Sequence, residues 1–244
     1  LEQMLVNTRQ VQRLRKIQQL GLADVVYPGA NHTRFEHSIG TMHTASIIAN
    51  ALGLEPDEVQ KVRIAGLLHD VGHSALSHAV EGVLKRNTKF QPVIDGKKVI
   101  KHESFTKSII KNKFPNEKNI CRHVEAEFGV DAHKFFDEIA KMATGDAHSL
   151  DRPYLGHIIS GDIDADRIDF LLRDSYHTGV SLGLIDVDQI VQSLTIKDKR
   201  IVLGAPDSSS YGEDMALTAA ASMLIARAHH YPAIIHHPQH RQHG

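Results

Sequence analysis

Apolar residues recur at helical spacing along most of this chain, and that periodicity commits it to a mostly α fold. Val6, Val11, Leu14 and Ile17 mark one apolar face that ends near Gly21. Residues from about Thr33 to Leu52 read as a second helix, closed by Gly53. Pro56-Asp57-Glu58 opens a third, with Val59, Val62, Ala65 and Leu68 inside and Gly72 as its stop. Ser74 suits the N-cap of a fourth helix running to about Lys85. Further helices fit 102–113, 117–128 and 131–143, then Ile163 to near Gly179, then an Ala-rich stretch from about Glu213 to Tyr231. Two hairpins interrupt the pattern. Phe90–Ile94 and Lys97–Ile100 flank Asp95-Gly96, a favoured two-residue turn, and Leu194–Ile196 and Arg200–Leu203 flank a short charged turn. Gly204 to Tyr211 reads as a loop, and neither an internal repeat nor a domain-splitting linker is visible.

The 244 residues suffice for a full hydrophobic core. Lys plus Arg is 28 against 29 for Asp plus Glu, so the composition carries no nucleic-acid signal and no acidic tail. Cys121 is the one cysteine, which excludes an intramolecular disulfide and Cys-rich zinc modules. It sits in a polar stretch and reads as a bystander. No apolar run reaches the ~20 residues of a membrane span, and there is no signal-peptide pattern. A reducing, cytosolic compartment is the expectation. The start at Leu1 and the His-rich end suggest a piece of a longer protein.

Histidine is abundant, 18 residues, and is the commonest metal ligand and a common acid or base. The informative pair is His69-Asp70, which ends the apolar run Ile64-Ala65-Gly66-Leu67-Leu68. An aspartate there is costly to bury unless paired; otherwise the helix end reaches solvent. His73 would share a face with His69 if the helix continued, whereas Gly72 and Ser74 point to a turn. Upstream stands Arg34-Phe35-Glu36-His37. Downstream, Asp166, Phe170 and Asp174 recur every four residues and so share one helix face, whether as a site or as a solvated surface.

In order, the blocks PGANHTRFEHSIG, AGLLHDVGHSALSH and DIDADRIDFLLRDSYHTG resemble the HD-domain phosphohydrolase superfamily. They look most like its deoxynucleoside triphosphate triphosphohydrolase branch, which includes the sterile-alpha-motif-and-HD-domain dNTPase. The resemblance runs from about Asn7 to Thr178, with a weaker match near Arg227. It implies a single HD-domain helical fold with short β-hairpins over 1–244. It also implies a metal held by His37, His69, Asp70 and Asp166. Two imidazoles with two carboxylates suit Mn, Fe, Ni, Co or Zn, with Mg expected to accompany the nucleotide phosphates. Such a metal would activate water for attack on a phosphate ester or anhydride.

Further roles follow from the resemblance. His78, Glu81 and His102 match a catalytic histidine, its carboxylate partner and a phosphate-contacting histidine; the family usually has Asp where this chain has Glu81. A carboxylate beside an imidazole favours its protonated form and keeps a proton available. Arg34 matches a phosphate-binding arginine. Arg167 stands where lysine is frequent and would contact phosphate, or else pair with Asp164 or Asp174. Phe170 replaces a sugar-packing tyrosine, Asp174 and Gln19 match residues that receive the sugar 3′-hydroxyl, and Arg227 matches a late phosphate-binding arginine. The family tyrosine that screens the ribose 2′-position would fall near Ile235; Tyr231 is out of register with it. Asn7, Gln12 and Arg15 align with a segment that binds an activating guanine nucleotide, with Asn7 replacing an aspartate; a plain amphipathic basic helix is the alternative. His229, His230, His236, His237, His240 and His243 are irregularly spaced and read as an interface or truncated edge rather than a second metal site. The expected activity is hydrolysis of dNTPs to deoxynucleoside and triphosphate in a dimer or tetramer. The alternatives are a phosphomonoesterase acting on nucleoside monophosphates or other esters, and a non-catalytic nucleotide sensor.

Overall fold

The computed structural model describes residues 1–76, 78–181, 185–204, 210–230 and 233–234, without the side chains of His78, Ala79, Ser210, Tyr211 and Glu213. Tyr231, Ile235, His236, His237, His240, His243 and most of the 204–211 loop therefore lie outside the described residues. Twelve α-helices run through the rest: α1 (Glu2–Val6), α2 (Arg9–Gln12), α3 (Arg34–Ala51), α4 (Pro56–Leu68), α5 (His78–Arg86), α6 (His102–Asn112), α7 (Lys118–Phe128), α8 (Ala132–Ala143), α9 (Pro153–Ile159), α10 (Ala165–Thr178), α11 (Val187–Gln192) and α12 (Ser210–His230). Strands β1 (Val93–Ile94) and β2 (Lys97–Lys98) form one antiparallel hairpin, and β3 (Leu194–Lys197) and β4 (Arg200–Leu203) the other. The mostly α expectation holds, with each hairpin isolated from the other.

The core is built around α4. Its first turn has Pro56 at N1 and a reciprocal cap between Glu55 and Glu58. Val62, Ile64, Leu67 and Leu68 are fully buried against α3, α8 and α9. Helix α3 starts at a capping box: the Thr33 hydroxyl accepts from the Glu36 N–H, and Glu36 accepts from the Thr33 N–H. Helix α10 also packs on α3 and starts at Asp164, whose carboxylate accepts from the Arg167 N–H at 2.7 Å. Three helix termini thus converge: the first turns of α3 and α10 and the last turn of α4.

Several boundaries differ from expectation. The N-terminal helix foreseen up to Gly21 breaks into α1, α2 and a 3-10 turn, Arg13–Lys16. The backbone of Ile17 and Gln19 instead bonds across to Arg34 and His32, a tertiary demand that helical periodicity does not register. Helix α4 stops at Leu68, so His69 to Gly72 form a turn, as Gly72 and Ser74 allowed. Helix α5 begins at His78, beyond Ser74, which is therefore not its N-cap. Helices α9 and α11 were not foreseen; at seven and six residues they are too short to show a period. No described helix is long and apolar enough to cross a membrane.

Gly72 fixes how closely α6 approaches this turn. A Cβ there would lie 2.3 Å from the Thr106 nitrogen and 2.4 Å from the His102 carbonyl oxygen, both backbone atoms. The Gly72 N–H donates to Thr106 Oγ1 at 3.0 Å, and that hydroxyl donates to the His69 carbonyl at 3.0 Å. Gly72→Ala is expected to cost about 1–3 kcal/mol through forced separation of α6 from the turn. Urea unfolding would read this as a lower midpoint at unchanged slope.

Candidate metal centre

His37 projects from the first turn of α3, His69 and Asp70 from the end of α4, and Asp166 from the first turn of α10. The structure brings all four together. His37 Nε2 lies 3.0 Å from Asp166 Oδ1, 3.2 Å from His69 Nε2 and 3.9 Å from Asp70 Oδ2. His69 Nε2 lies 3.4 Å from Asp70 Oδ1 and 3.8 Å from Asp166 Oδ1. His37, His69 and Asp70 are buried, while the Asp166 side chain is 37% exposed and marks the open side.

The outer ring nitrogens set the tautomers. His69 Nδ1 lies 2.7 Å from the Gly66 carbonyl, and His37 Nδ1 lies 2.8 Å from Asp169 Oδ2. Both partners are acceptors, so each Nδ1 carries a proton. The Nε2 atoms of both rings therefore turn into a space shared with Asp70 and Asp166, where a ring in its neutral form would offer a lone pair. Such a gathering of lone pairs is stable only around a cation, which is the observation that a divalent transition metal fits. A proton on His37 is the least such cation. Burial alone would depress His37, but hydrogen bonds to Asp166 and Asp169 raise it to about 10. Burial would likewise raise Asp70, yet His69, Arg34 and His73 hold it well below the usual carboxylate range.

The surrounding groups fall into two sets. On one side His73 and His102 stack with ring centroids 3.8 Å apart. His73 Nε2 is 3.3 Å from Asp70 Oδ1, and burial pushes His73 down to about 4, so it is neutral at physiological pH. Glu81 Oε1 accepts from both His102 Nδ1, at 2.7 Å, and the His102 backbone, at 3.0 Å. Glu81, expected beside His78, is thus a carboxylate partner of His102; the His78 side chain lies outside the described residues. Arg13, which sequence reasoning missed, straps this turn by donating to the Val71 and His73 carbonyls at 2.8 and 2.5 Å. Arg34 is buried and donates to Asp70 Oδ2 at 2.5 Å. Arg167 turns back onto Asp164 and the Gly161 carbonyl, the pairing with Asp164 that its spacing allowed. Burial and the Asp166 charge raise Asp164 itself to about 8.

On the other side Asp174 is buried, which rules out a solvated surface there. His32 and His230 donate to its two oxygens, each at 2.8 Å. His230 also packs on Phe170 with ring centroids 5.3 Å apart, so it belongs to this cluster and not to a histidine-rich edge. His229 is exposed, as is Arg227, on the same helix. Gln19 adjoins the cluster through its N–H to the His32 carbonyl, 3.0 Å, and its Oε1 is buried with no hydrogen-bond partner among the described residues. Of the expected effector residues, Asn7 is exposed at the end of α1, Gln12 donates to the Val6 carbonyl at 2.8 Å, and Arg15 donates to Gln12 at 2.9 Å. Arg15 also lies 3.6 Å over the Phe35 ring.

Desolvation would raise Asp174, but its two imidazole partners hold it below the usual range. That stabilisation is present above the ordinary carboxylate pKa of about 3.9 and is lost as pH falls through the lowered folded value. Asp174→Asn should therefore cost about 1–3 kcal/mol at neutral pH. The gap from wild type should narrow in urea titrations below pH ~4. A gap independent of pH would contradict an ionised Asp174.

Comparison with known proteins agrees with this geometry. The HD domain family matches residues 34–174. MJ1154, an uncharacterized protein of Methanocaldococcus jannaschii, is 37% identical over 239 residues, covering 96% of this chain and 42% of that protein. The Dictyostelium discoideum homolog of deoxynucleoside triphosphate triphosphohydrolase SAMHD1 is 31% identical over 206 residues, covering 80% of this chain and 37% of that protein. A solved structure of a phosphohydrolase from Bacteroides thetaiotaomicron matches with TM-score 0.71 at 29% identity, covering 97% of this chain and 50% of the other. The chain spans half or less of the length of the curated relatives it matches. The matched span contains His37, the adjacent His69 and Asp70, and Asp166, and the chain belongs to the HD domain family.

Proposed function

We propose that this chain is the catalytic HD domain of a metal-dependent nucleotide phosphohydrolase that cleaves dNTPs to deoxynucleoside and triphosphate. The observation that carries the reading is the convergence of His37, His69, Asp70 and Asp166 on one point with an open side at Asp166. His37, His69, Asp70 and Asp166 would hold a divalent transition metal, whose chemistry there would be activation of water and stabilisation of charge on the phosphoryl oxygens. The chain's own groups do the rest. Arg34 sits at the rim of the cluster and would bind an α-phosphate oxygen by exchanging part of its contact with Asp70. His102, held at Nδ1 by Glu81, presents Nε2 to a phosphate, and neutral His73 stacks behind it. His78 is the group assigned to protonate the leaving deoxynucleoside oxygen.

The sugar side has support in Gln19, whose buried Oε1 has no donor among the described residues and could accept from a hydroxyl. Asp174 is the second acceptor there, and Phe170 is the packing face. Because His32 and His230 already occupy both Asp174 oxygens, a sugar hydroxyl would have to share or displace one of them. That observation favours, as a second reading, an ester hydrolase with looser demands on the sugar. Assembly as a dimer or tetramer, and activation by a guanine nucleotide at Asn7, Gln12 and Arg15, belong to the same proposal.

The test is a substrate panel on metal-loaded protein: four dNTPs, GTP, several monophosphates and a cyclic nucleotide, each with and without added GTP or dGTP. Triphosphate released from dNTPs, resolved by ion exchange, is the expected result. Orthophosphate from monophosphates would shift the assignment to the second reading, and tight binding without product would make the protein a sensor. Asp166→Ala should remove both bound metal and turnover; retained turnover would contradict the site.

A further inference from the structure

We propose that Asp169 is the positioning residue for the ligand His37, and that Arg173 and a gap at Gly40 hold it in that role. The inference rests on the metal-centre reading and extends it to residues outside the ligand set. Asp169 Oδ2 accepts from His37 Nδ1 at 2.8 Å. The same carboxylate is gripped at two points by Arg173, Nε to Oδ2 at 2.9 Å and Nη2 to Oδ1 at 2.8 Å. Both groups press against the middle of α3 at Gly40. A Cβ at Gly40 would lie 1.9 Å from Asp169 Oδ1 and 2.2 Å from Arg173 Nη2.

Gly40 has no left-handed φ to explain it, and alanine is the better helix former at such a position. The glycine is there for space, and what fills the space is the Asp169–Arg173 pair. The physical consequence runs through His37. An imidazole can flip and offer either nitrogen; a carboxylate on Nδ1 keeps the proton there and aims the Nε2 lone pair at Asp166 and His69. A carboxylate this close to the centre would itself compete as a ligand. Arg173, four residues along the same helix, draws it back by a bidentate grip. Gly40, Asp169 and Arg173 thus act as one device that points a ligand without touching the metal.

The test uses the whole chain and two readouts. The first is Mn, Co and Zn affinity by chelator competition, with circular dichroism and thermal unfolding to confirm the fold. Asp169→Ala is expected to weaken binding about 10–100-fold, and Asp169→Asn, which still accepts from Nδ1–H, to fall between it and wild type. Gly40→Ala should reproduce the loss with every ligand and Asp169 intact. The second readout is proton NMR of metal-free protein. A far-downfield His37 Nδ1–H signal should be present in wild type and absent from Asp169→Ala. Affinity unchanged in both Asp169→Ala and Gly40→Ala, or no such signal in wild type, would overturn the positioning role. A wild type that shows the signal yet binds no ion would overturn the metal-centre reading while supporting the Asp169–His37 contact.

Discussion

Two imidazoles and two carboxylates directed at one point form an arrangement that no folded chain holds without positive charge at its centre. Lone pairs from His37 and His69 meet 3.2 Å apart beside Asp70 and Asp166. Much of the nearby structure answers that problem. Arg34 is buried on Asp70, and Arg173 balances Asp169 behind His37. Asp164, one turn-start away, is pushed toward its neutral form by burial and by the Asp166 charge. A bound cation would relieve the central repulsion, so metal binding and stability of this region are coupled.

The scaffold delivers the four groups from helix termini. Capped starts on α3 and α10 fix where His37 and Asp166 fall in their first turns. The apolar stretch of α4 buries Leu67 and Leu68 and then ends, leaving His69 and Asp70 where helix meets turn. Moving any of these caps by one residue would rotate a ligand by about 100° around its helix. Precision at the site is therefore inherited from the caps and from the core around α4.

How much of this could be read beforehand varies with the range of the interaction. The starts of α3 and α4 lie in local chemistry, Thr33 with Glu36 and Glu55 with Glu58 around Pro56 at N1, and fall where the sequence puts them, whereas α4 ends at Leu68, short of Gly72. The four residues His37, His69, Asp70 and Asp166 were picked out by the resemblance that their ordered motifs carry, and the fold brings them together in a chain of contacts no longer than 3.9 Å. The break after Lys16 was not legible, because hydrogen bonds from Arg34 and Gln19 across to distant backbone cause it. Asp169 carried a usable signal: it stands three residues from Asp166 and four from Arg173, so it shares their side of α10. His32 and His230 carried none, since only tertiary packing brings them to Asp174 across 142 and 56 residues. Glu81 was assigned a histidine partner in its own helix, and its bond to His102 comes from a different helix through the closeness that Gly72 permits.

Family membership and geometry both support the proposed metal-dependent hydrolase, and in that proposal the choice of substrate turns on the Asp174 side of the pocket. Both rest on a filled centre. X-ray absorption spectroscopy on cobalt- or manganese-loaded protein tests this most directly. The account predicts one ion per chain with two imidazole nitrogens and two carboxylate oxygens in its first shell, and loss of one imidazole in His37→Ala. An ion with no imidazole ligands, or a shell unchanged by His37→Ala, would contradict it.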